Sequence, residues 1–452
     1  MLIRLVVSNF LSFKEETEFN MLTGSFKIHK DHIIENGNVE VLKGAAIYGS
    51  NGAGKSNLVK AFAYLKNMVL DGKPSSLPVK HKASSDYLSK PTSFEIEFFT
   101  SGSNYSYGLV IDNNMILEEW LVRVRQGKDD ETIFKRVINK GQQSLEFNER
   151  YLATEQDRLR IDLFERELVD INKLFLTFAA NLRENKIVEI TEVYRWIEDK
   201  LIIIFPESKP ASLVPKFLFK KKFHAFSNNV ICGFETGITR IDTETIPLDQ
   251  FFGEDDKAKA KEISERLRNG EKMVTLHYLP VEEMVAILEN DKPVVKKLYT
   301  IHAGDKGQEV KFELYEESEG TQRLLDFIPA LYAVLFENSV VIIDEIDKSI
   351  HPHLSKSLVA KVMGDRRTNG QLIFTTHESN LLDLDIFRQD EIWFAEKDKT
   401  GETHLYSMSE FKPRYDLDVR KGYLNGRFGA IAFLGNLVDL KWEEYAEEEQ
   451  GV

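Results

Sequence analysis

The sequence has a single cysteine, few prolines and no long apolar run. Its 452 residues include 1 Cys, 12 Pro and 26 Gly. A lone Cys232 cannot form a disulfide within the chain or supply a thiolate zinc site, which favours a reducing compartment. No stretch reaches the roughly 18 consecutive apolar residues that span a bilayer, and the first residues lack the pattern of a secretory signal peptide. We therefore expect a cytoplasmic protein with no membrane partner.

Positive charge is also in deficit. The chain has 59 Lys+Arg against 73 Asp+Glu, a formal net charge of −14. Such a surface repels a polyanion unless basic residues cluster, so binding of nucleic acid by the whole surface is disfavoured and local basic patches stay open. With 42% hydrophobic and 29% charged residues, the composition is that of an ordinary globular protein. The length predicts about three structural units.

A glycine-rich octapeptide follows the apolar run at 41–48. It matches G-x-x-x-x-G-K-[ST], and its residues are Gly49, Ser50, Asn51, Gly52, Ala53, Gly54, Lys55 and Ser56. The glycines let backbone N–H groups approach phosphates, and the N-terminus of a following helix adds partial positive charge. Lys55 would contact the β- and γ-phosphates and Ser56 would contact Mg²⁺. The octapeptide therefore predicts ATP and Mg²⁺ as ligands.

Carboxylates and a histidine follow two later apolar runs. Four apolar residues at 340–343 precede Asp344 and Glu345, and a second run precedes His377. Asp344 suits a contact to Mg²⁺, and Glu345 suits the deprotonation of water at the γ-phosphate. An imidazole at His377 would sense that phosphate. We assign Lys55, Glu345 and His377 as catalytic residues, and Ser56 and Asp344 as metal ligands.

The apolar and charged patterns divide the chain into four parts. An N-terminal half of a nucleotide-binding head, 1–136, contains the octapeptide and short alternating runs typical of an antiparallel meander. A mostly helical lobe, 137–294, is inserted before the C-terminal half, 295–440, and an acidic tail occupies 441–452. Within the lobe, apolar spacing predicts a helix around 190–204 that ends before Pro206. The fold class predicted is α/β.

These residues carry a resemblance to a known class of ATPases. ESEGTQRLL at 317–325 resembles the signature segment of ABC-type ATPases in the form seen in SMC-like and OLD-like members, and IRLVVSNFLSF at the start is similar to their opening strand. The resemblance implies an ABC/SMC-like P-loop ATPase head with an antiparallel β subdomain. It also implies that two heads close face to face. Ser318 and Gly320 would then act on the partner's nucleotide, and Asp347 would be the D-loop residue.

The C-terminal segments RQDEIWFAEKD, LYSMSEF and GYLNGRFGAI resemble the AAA15 group of bacterial ATPases, which includes RloA-like proteins and AriA of the PARIS anti-phage system. The resemblance covers roughly 1–136 and 295–435. It implies a homo-oligomer formed through head dimers, a separate effector protein with a TOPRIM-like nuclease fold, and a phage protein as trigger. The main prediction is therefore an ATPase that serves as sensor and scaffold in anti-phage defence.

Alternatives to this prediction stay open. A RecF-like DNA-repair ATPase would act directly on duplex DNA and would group Lys and Arg on one face of the head dimer. The segment 216–226, KFLFKKKFHAF, fits a base-stacking basic stripe or a strand pair with a basic outer face. The D-x-D pairs at 383–385 and 416–418 lack the surroundings of a TOPRIM nuclease, so we place nuclease chemistry in a partner. The long lobe disfavours a transporter's nucleotide-binding subunit.

Overall fold

The computed structural model describes residues 1–37, 39–75, 79–164, 170–182, 187–209, 212–277, 283–414 and 418–431; the predicted tail 441–452 lies outside them. The described strands, in chain order, are β1 (Leu2–Ser8), β2 (Thr17–Asn20), β3 (Ile33–Asn36), β4 (Val39–Leu42), β5 (Gly44–Tyr48), β6 (Thr92–Thr100), β7 (Ser103–Asp112), β8 (Met115–Val124), β9 (Glu131–Asn139), β10 (Gln142–Phe147), β11 (Leu201–Ile204), β12 (Ile238–Pro247), β13 (Val274–His277), β14 (Glu283–Glu289), β15 (Lys292–Ala303), β16 (Glu309–Glu313), β17 (Val340–Ile343), β18 (Gln371–Thr375), β19 (Ile392–Lys397) and β20 (Thr403–Ser407). The described α-helices are α1 (Lys55–Asp71), α2 (Ser85–Leu88), α3 (Glu155–Leu163), α4 (Phe175–Ala180), α5 (Val188–Arg195), α6 (Leu213–Phe219), α7 (Lys221–Gly233), α8 (Leu248–Phe252), α9 (Lys257–Arg268), α10 (Glu319–Phe336), α11 (Pro352–Gly364) and α12 (Val419–Leu424). None of these helices combines the length and the apolar character needed to cross a membrane.

A six-stranded sheet forms the centre of the head. Its strand order is β11-β17-β18-β5-β19-β20, and its pairs are parallel except for β19 with β20. Strands β5, β17 and β18 are buried along their whole length, as expected for a parallel sheet covered on both faces. Alternate residues of β5 enter two different cores: Ala45 and Ile47 pack with α1, whereas Ala46 and Tyr48 pack with α10 and α11.

The N-terminal strand leads into a seven-stranded antiparallel sheet. Its order is β10-β9-β8-β7-β6-β1-β2, and the predicted meander corresponds to β6 through β9. The inner face of this sheet packs in the same core as α1, where Phe19 meets Phe62 with ring centroids 6.3 Å apart. The predicted α/β class is confirmed: a parallel sheet, which leads into the glycine-rich loop, is joined to an antiparallel β subdomain.

The range 137–294 was predicted as one inserted lobe, and helices α3 to α9 make up most of its described regular structure. The structure differs from the predicted boundaries in two respects. Strand β11 returns to the edge of the central sheet in the middle of this range. A third sheet, β12-β15-β14-β13 with β16 beside β15, continues past residue 294, because β15 runs across that boundary. The residues between β10 and β11, among them Phe175 and Trp196, pack in the same core as α1, so this part of the range belongs to the head.

The predicted helix around 190–204 is wrong in its second half. Helix α5 ends at Arg195, a π-helical turn covers Trp196–Lys200, and the residues Leu201–Ile204 form strand β11. Three successive isoleucines favour an extended backbone, since β-branched side chains pack well on a pleated sheet. The parallel pairing of this run with β17 buries Leu201 and Ile204 and outweighs the helical spacing that precedes the run.

The basic segment 216–226 is helical, so the predicted strand pair is wrong. It spans the end of α6 and the start of α7. Phe217 and Phe223 are buried in the core beside α10, and Lys216 and Lys220 both pair with Glu337 at 2.9 and 2.7 Å. These side chains therefore hold the helices to the head. The two phenylalanines are not available to stack on bases.

Candidate functional site

The glycine-rich loop connects the buried strand β5 to helix α1, which begins at Lys55. Gly52 and Gly54 have φ angles of 77° and 107°, where an L side chain is strained. A Cβ on Gly54 would lie 2.1 Å from Oγ1 of Thr403, and one on Gly49 would lie 2.4 Å from the carbonyl oxygen of Ala395. Gly52 has no atom within 4 Å of its Cβ position. The loop is therefore tightly supported on its inner side and open at Gly52.

The support beneath the loop comes from the two ends of the chain. Thr403 on β20 donates its hydroxyl to the carbonyl oxygen of Ala53 at 2.8 Å and lies 2.7 Å from Oγ of Ser12. Asn57 on α1 donates to the same Ser12 oxygen at 2.7 Å. Sequence reasoning missed Ser12, Asn57 and Thr403. The available signal was the opening segment N-F-L-S-F, which contains Ser12 and was used only as a resemblance.

The ammonium group of Lys55 is turned back onto its own loop. It donates to the carbonyl oxygens of Gly49 at 2.7 Å and Ser50 at 3.1 Å, and it lies 3.4 Å from Nδ1 of His377. Burial lowers the pKa of Lys55 to about 8. Burial, and then the charge of Lys55, lower the pKa of His377. With Lys55 protonated, Nδ1 of His377 is the acceptor, so the ring proton of a neutral imidazole sits on Nε2.

Three oxygen groups meet at the end of strands β17 and β18. Ser56 donates its hydroxyl to Oδ1 of Asp344 at 3.2 Å, and Thr375 donates to the same oxygen at 2.6 Å. Asp344 is 3% exposed. Hydroxyl and carboxylate oxygens are the ligands that Mg²⁺ prefers. The predicted metal ligands Ser56 and Asp344 are therefore side by side, and Thr375 was missed because a threonine that ends a strand carries no distinctive pattern.

Glu345 has a left-handed backbone, with φ of 52°. Its N–H donates to Oγ1 of Thr375 at 2.8 Å, so the same threonine fixes both acidic residues. A non-glycine residue in this region is uncommon, and such backbone strain clusters at functional sites. Further along the loop, Oδ1 of Asp347 is buried and has no hydrogen-bond partner in the described part of the chain. Glu345 therefore has an unusual backbone conformation, and Asp347 has an unpaired buried carboxylate oxygen within the described residues.

The signature segment, 317–325, contains the start of helix α10, which packs on the loop that follows β17. Ser318 caps the helix by accepting from the N–H of Thr321 at 3.2 Å. A Cβ on Gly320 would lie 2.7 Å from the carbonyl oxygen of Ser349, so glycine permits the close packing of α10 on the loop after Asp347. Among the described residues, Ser318 and Gly320 make no hydrogen bond to 49–56. Within one chain, the structure does not bring the signature to the glycine-rich loop.

One turn into the same helix, Arg323 is 5% exposed. Its three guanidinium nitrogens have no hydrogen-bond partner in the described structure, and its guanidinium lies over the ring of Phe327, 4.6 Å from the centroid. Burial lowers the pKa of Arg323, opposed by the charges of nearby acids that include Glu345 and Asp344. A buried cation without a partner is costly. Arg323 is therefore a candidate for an anionic hydrogen-bond partner beyond those that the described residues supply.

The D-x-D pair at 383–385 is accounted for by local structure. Asp383 pairs with Lys356 at 2.7 Å and accepts the N–H of Asp385 at 2.9 Å. Of the second pair, Asp416 lies outside the described residues. The described pair caps a turn and gives no support to a nuclease site in this chain.

The chain is similar to solved structures of SMC head domains. One similar solved structure is that of the Smc head bound to the C-winged helix domain of ScpA (12% identity, 90% of this chain and 97% of that chain, TM-score 0.38). Another is the SMC head domain from Thermotoga maritima (11% identity, 90% and 98%, TM-score 0.34). No curated protein matches the sequence. A family model matches residues 45–383, from the strand before the glycine-rich loop to beyond His377. The chain belongs to the family described as AAA domain, putative AbiEii toxin, Type IV TA system.

Proposed function

We propose that this chain binds and hydrolyses ATP with Mg²⁺, and that the ATP-bound form is a dimer of heads. One observation carries the proposal: the hydroxyl of Ser56 and the carboxylate of Asp344 are in contact at 3.2 Å, beside a lysine whose ammonium group bonds to replaceable neutral acceptors, two carbonyl oxygens of its own loop and His377. Charged phosphate oxygens are stronger acceptors for an ammonium group than carbonyl oxygens are. The site is therefore poised to accept a triphosphate.

Each residue of the site has a defined task. The N–H groups of Gly49 to Gly54 and the N-terminus of α1 bind the phosphates, and Lys55 leaves its carbonyl partners to contact the β- and γ-phosphates. Ser56 and Asp344 would hold Mg²⁺, which neutralises developing charge when bound. Thr375 keeps Asp344 and Glu345 in place through its two hydrogen bonds.

Hydrolysis needs a base for the attacking water, and Glu345 is the candidate. Glu345 is the residue after Asp344, and its left-handed backbone turns the chain sharply after β17. His377, next to Lys55, lies where a γ-phosphate contact is expected and would donate from its Nε2–H. Glu345 therefore accepts the proton of water, while His377 and Lys55 stabilise charge on the phosphate oxygens.

The dimer follows from what one chain leaves incomplete. Ser318 and Gly320 lie at the start of α10 with no hydrogen bond to 49–56 among the described residues, and Oδ1 of Asp347 lacks a partner there. In a face-to-face dimer, these three residues of one head would complete the nucleotide site of the other. This assembly is a two-fold, isologous one.

We further propose that the assembly serves as sensor and scaffold in bacterial anti-phage defence, in the manner of the AAA15 group with its RloA-like proteins and AriA. A nuclease-type effector would be the partner and a phage protein the trigger. Support comes from the resemblance of the C-terminal segments and from membership of a family described with a putative toxin. The chain would then work in the cytoplasm.

The ATPase proposal is tested with purified protein. Lys55→Ala should abolish ATP binding, whereas Glu345→Gln should bind ATP and lower turnover at least 100-fold, the size expected for loss of a general base. Glu265→Gln, on the exposed face of α9, is the matched control and should behave as the parent protein. Equal turnover by the parent, Lys55→Ala and Glu345→Gln would contradict the assignment.

The partner is tested by affinity capture from the native host with the Glu345→Gln variant and ATP, followed by mass spectrometry and nuclease digestion. Lys55→Ala is the control, because it should not reach the ATP-bound form. A nuclease-like protein captured only by Glu345→Gln supports the defence scaffold. Abundant duplex DNA without a protein partner would instead support the RecF-like alternative, while leaving the ATPase assignment intact.

A further inference from the structure

Two histidines and an aspartate form a cluster at the edge of the central sheet that is opposite to the nucleotide loop. His29, Asp31 and His32 each offer a ligand atom, and these atoms lie within 4.8 Å of one another. The rings of His29 and His32 are stacked, with centroids 4.8 Å apart and planes inclined by 24°. We propose that these three residues bind a divalent transition-metal ion of the zinc class.

The hydrogen bonds behind the two rings are those of metal-binding histidines. Nε2 of His29 bonds to the carbonyl oxygen of Leu384 at 2.9 Å, and Nδ1 of His32 bonds to the carboxylate of Glu391 at 3.0 Å. Each bond places the ring proton on the nitrogen that faces the protein and leaves a lone pair on the other. Histidine ligands usually have such a carbonyl or carboxylate behind them, since it fixes the tautomer and raises basicity.

The atoms left over have no other use in the described structure. Nδ1 of His29, Nε2 of His32 and the carboxylate of Asp31 make no hydrogen bond or ion pair among the described residues. His32 is 2% exposed, whereas Asp31 is exposed. The buried histidine gives the site a fixed point, and the exposed carboxylate gives an ion access from solvent. Two imidazoles and one carboxylate form the donor set of open zinc sites, which complete their coordination with water.

The segment that carries the cluster is held rigidly. Arg388, at 0% exposure, donates to the carbonyl oxygens of Ile28 at 2.9 Å and Gly24 at 3.2 Å. His29 itself has a left-handed backbone with φ of 45°, which is uncommon for a residue other than glycine. Metal–nitrogen bonds of about 2.0–2.1 Å require the ligand atoms to approach one another to roughly 3.5 Å, so binding draws together atoms that lie within 4.8 Å of one another.

The position of the cluster separates it from ATP chemistry. Glu391 comes directly before β19, which pairs with β5 in parallel, whereas the glycine-rich loop follows the other end of β5. The five residues of β5 therefore lie between the two sites, a span of roughly 16 Å at ~3.3 Å per residue. A metal ion here would cross-link the segment before β3 and would fix the two histidine rings that bond to Leu384 and Glu391, so binding should stabilise the head.

The test uses the full chain after removal of metals with a chelator. The protein is titrated with Co²⁺ and then Zn²⁺ in excess Mg²⁺, which occupies the nucleotide site, with visible absorption and elemental analysis as readouts. We expect one ion per chain, displacement of Co²⁺ by Zn²⁺, and an increase in the melting temperature on binding. Asp31→Asn and His29→Gln should weaken binding at least 10-fold, and Glu391→Gln should weaken it 10–100-fold through its effect on His32.

Two controls keep the proposal open to refutation. His224→Gln replaces an exposed histidine on α7 and should leave binding unchanged. His404→Ala disrupts a second group, Asp398, Glu402 and His404, in which Asp398 is already bonded to His404 at 3.3 Å. Loss of the ion in His404→Ala with retention in His29→Gln would overturn the proposal, and so would a parent protein that binds no Co²⁺ at micromolar concentration. Because Asp31 is exposed, Asp31→Asn remains informative if a variant of buried His32 fails to fold.

Discussion

The ammonium group of Lys55 is buried against two carbonyl oxygens and His377, and this burial has a measurable consequence. In the free protein its pKa is lowered to about 8, whereas a bound triphosphate would favour the charged form and raise the pKa. Nucleotide binding above pH 8 must therefore take up a proton. The affinity for a non-hydrolysable ATP analogue should be constant below pH 8 and should fall above it, by up to about 10-fold per pH unit.

The check is an analogue titration between pH 6.5 and 9.5 at fixed Mg²⁺. Lys55→Arg is the control, because its guanidinium stays charged over this range. It should show no such decline, whatever its absolute affinity. An unchanged pH profile in both proteins would mean that Lys55 does not meet the triphosphate.

Arg323 gives a second prediction at the scale of single residues. Its buried guanidinium has no hydrogen-bond partner in the described structure, so replacement by a similarly long apolar side chain removes an unpaired charge. We expect Arg323→Met to raise the free energy of unfolding of the nucleotide-free protein by about 1–3 kcal/mol. Denaturant unfolding without nucleotide measures this change. ATP turnover should fall at the same time, if the charge meets its partner in the closed dimer.

A loss of stability in Arg323→Met would instead indicate that Arg323 is already paired in the nucleotide-free protein. If Arg323 were part of an intact buried ion pair, its substitution would lower the free energy of unfolding of the protein by about 3–5 kcal/mol. Arg123→Met is a useful comparison, since Arg123 donates to Glu131 at 3.2 Å and to Glu189 at 2.6 Å and should destabilise the protein. Similar destabilisation by both substitutions would show that Arg323 has a partner.

At the scale of elements, the turn from β5 to α1 depends on two glycines in different ways. A Cβ on Gly54 would meet Thr403, whereas one on Gly52 would meet nothing within 4 Å. Both glycines have positive φ, which is unfavourable for alanine. Because a Cβ on Gly52 meets no other atom, Gly52→Ala should lower the free energy of unfolding only by this backbone strain, about 1–2 kcal/mol. Gly54→Ala adds the collision with Thr403, so it should lower the free energy of unfolding by at least about 2 kcal/mol more than Gly52→Ala does, a cost comparable with that of an overpacked core. Thermal or denaturant unfolding without nucleotide compares the two variants.

A companion variant identifies the source of the added cost. In the Thr403→Ala background, Gly54→Ala should lose less stability than in the parent protein, because the colliding atoms Oγ1 and Cγ2 of Thr403 are absent. Equal losses in the two backgrounds would contradict this explanation.

The elements that the sequence predicted well are those whose pattern is local. The runs before Gly49, Asp344 and His377 are buried parallel strands, as their continuous apolar character indicated. Ser56 and Asp344 meet because parallel strands bring their carboxyl ends to one edge. By contrast, Leu201–Ile204 followed a helical spacing without a break, and a short apolar run does not by itself distinguish a helix from a strand.

Contacts between distant segments were not predictable from one sequence. Thr403 and Ser12 meet beneath the loop at 2.7 Å although the whole head separates them along the chain. The metal-binding cluster is a similar case. His29 and His32 are identified as candidate ligands only through the hydrogen bonds that they make to Leu384 and Glu391, and no spacing within 29–32 reveals those partners.

At the scale of the whole molecule, the proposed dimer makes each nucleotide site composite. Lys55→Ala removes one half of a site and Ser318→Arg blocks the other half. Each variant alone should be inactive. A 1:1 mixture should recover about a quarter of the parent turnover, because half of the dimers are mixed and each has one of two sites intact in an isologous pair. ATP turnover of the mixture against the separate variants measures this.

The double variant, Lys55→Ala with Ser318→Arg in one chain, is the matched control. Mixed with the parent protein it should form dimers with no intact site, so it should lower the parent's turnover. Absence of recovery in the first mixture, with normal turnover in the second, would show that each chain completes its own site.

The strand order of the central sheet also determines when during synthesis the ATP site can exist. Strand β5, at 44–48, takes its neighbours from 371–375 and 392–397, and the loop after it rests on Thr403. A ribosome needs roughly tens of seconds to reach those segments at ~5–20 residues per second. During that time the nascent chain exposes an apolar strand, which makes it a substrate for chaperones. A half-made head therefore has no completed ATP site, so it cannot enter an ATP-dependent assembly before the segments at 371–375 and 392–397 and Thr403 have been synthesised.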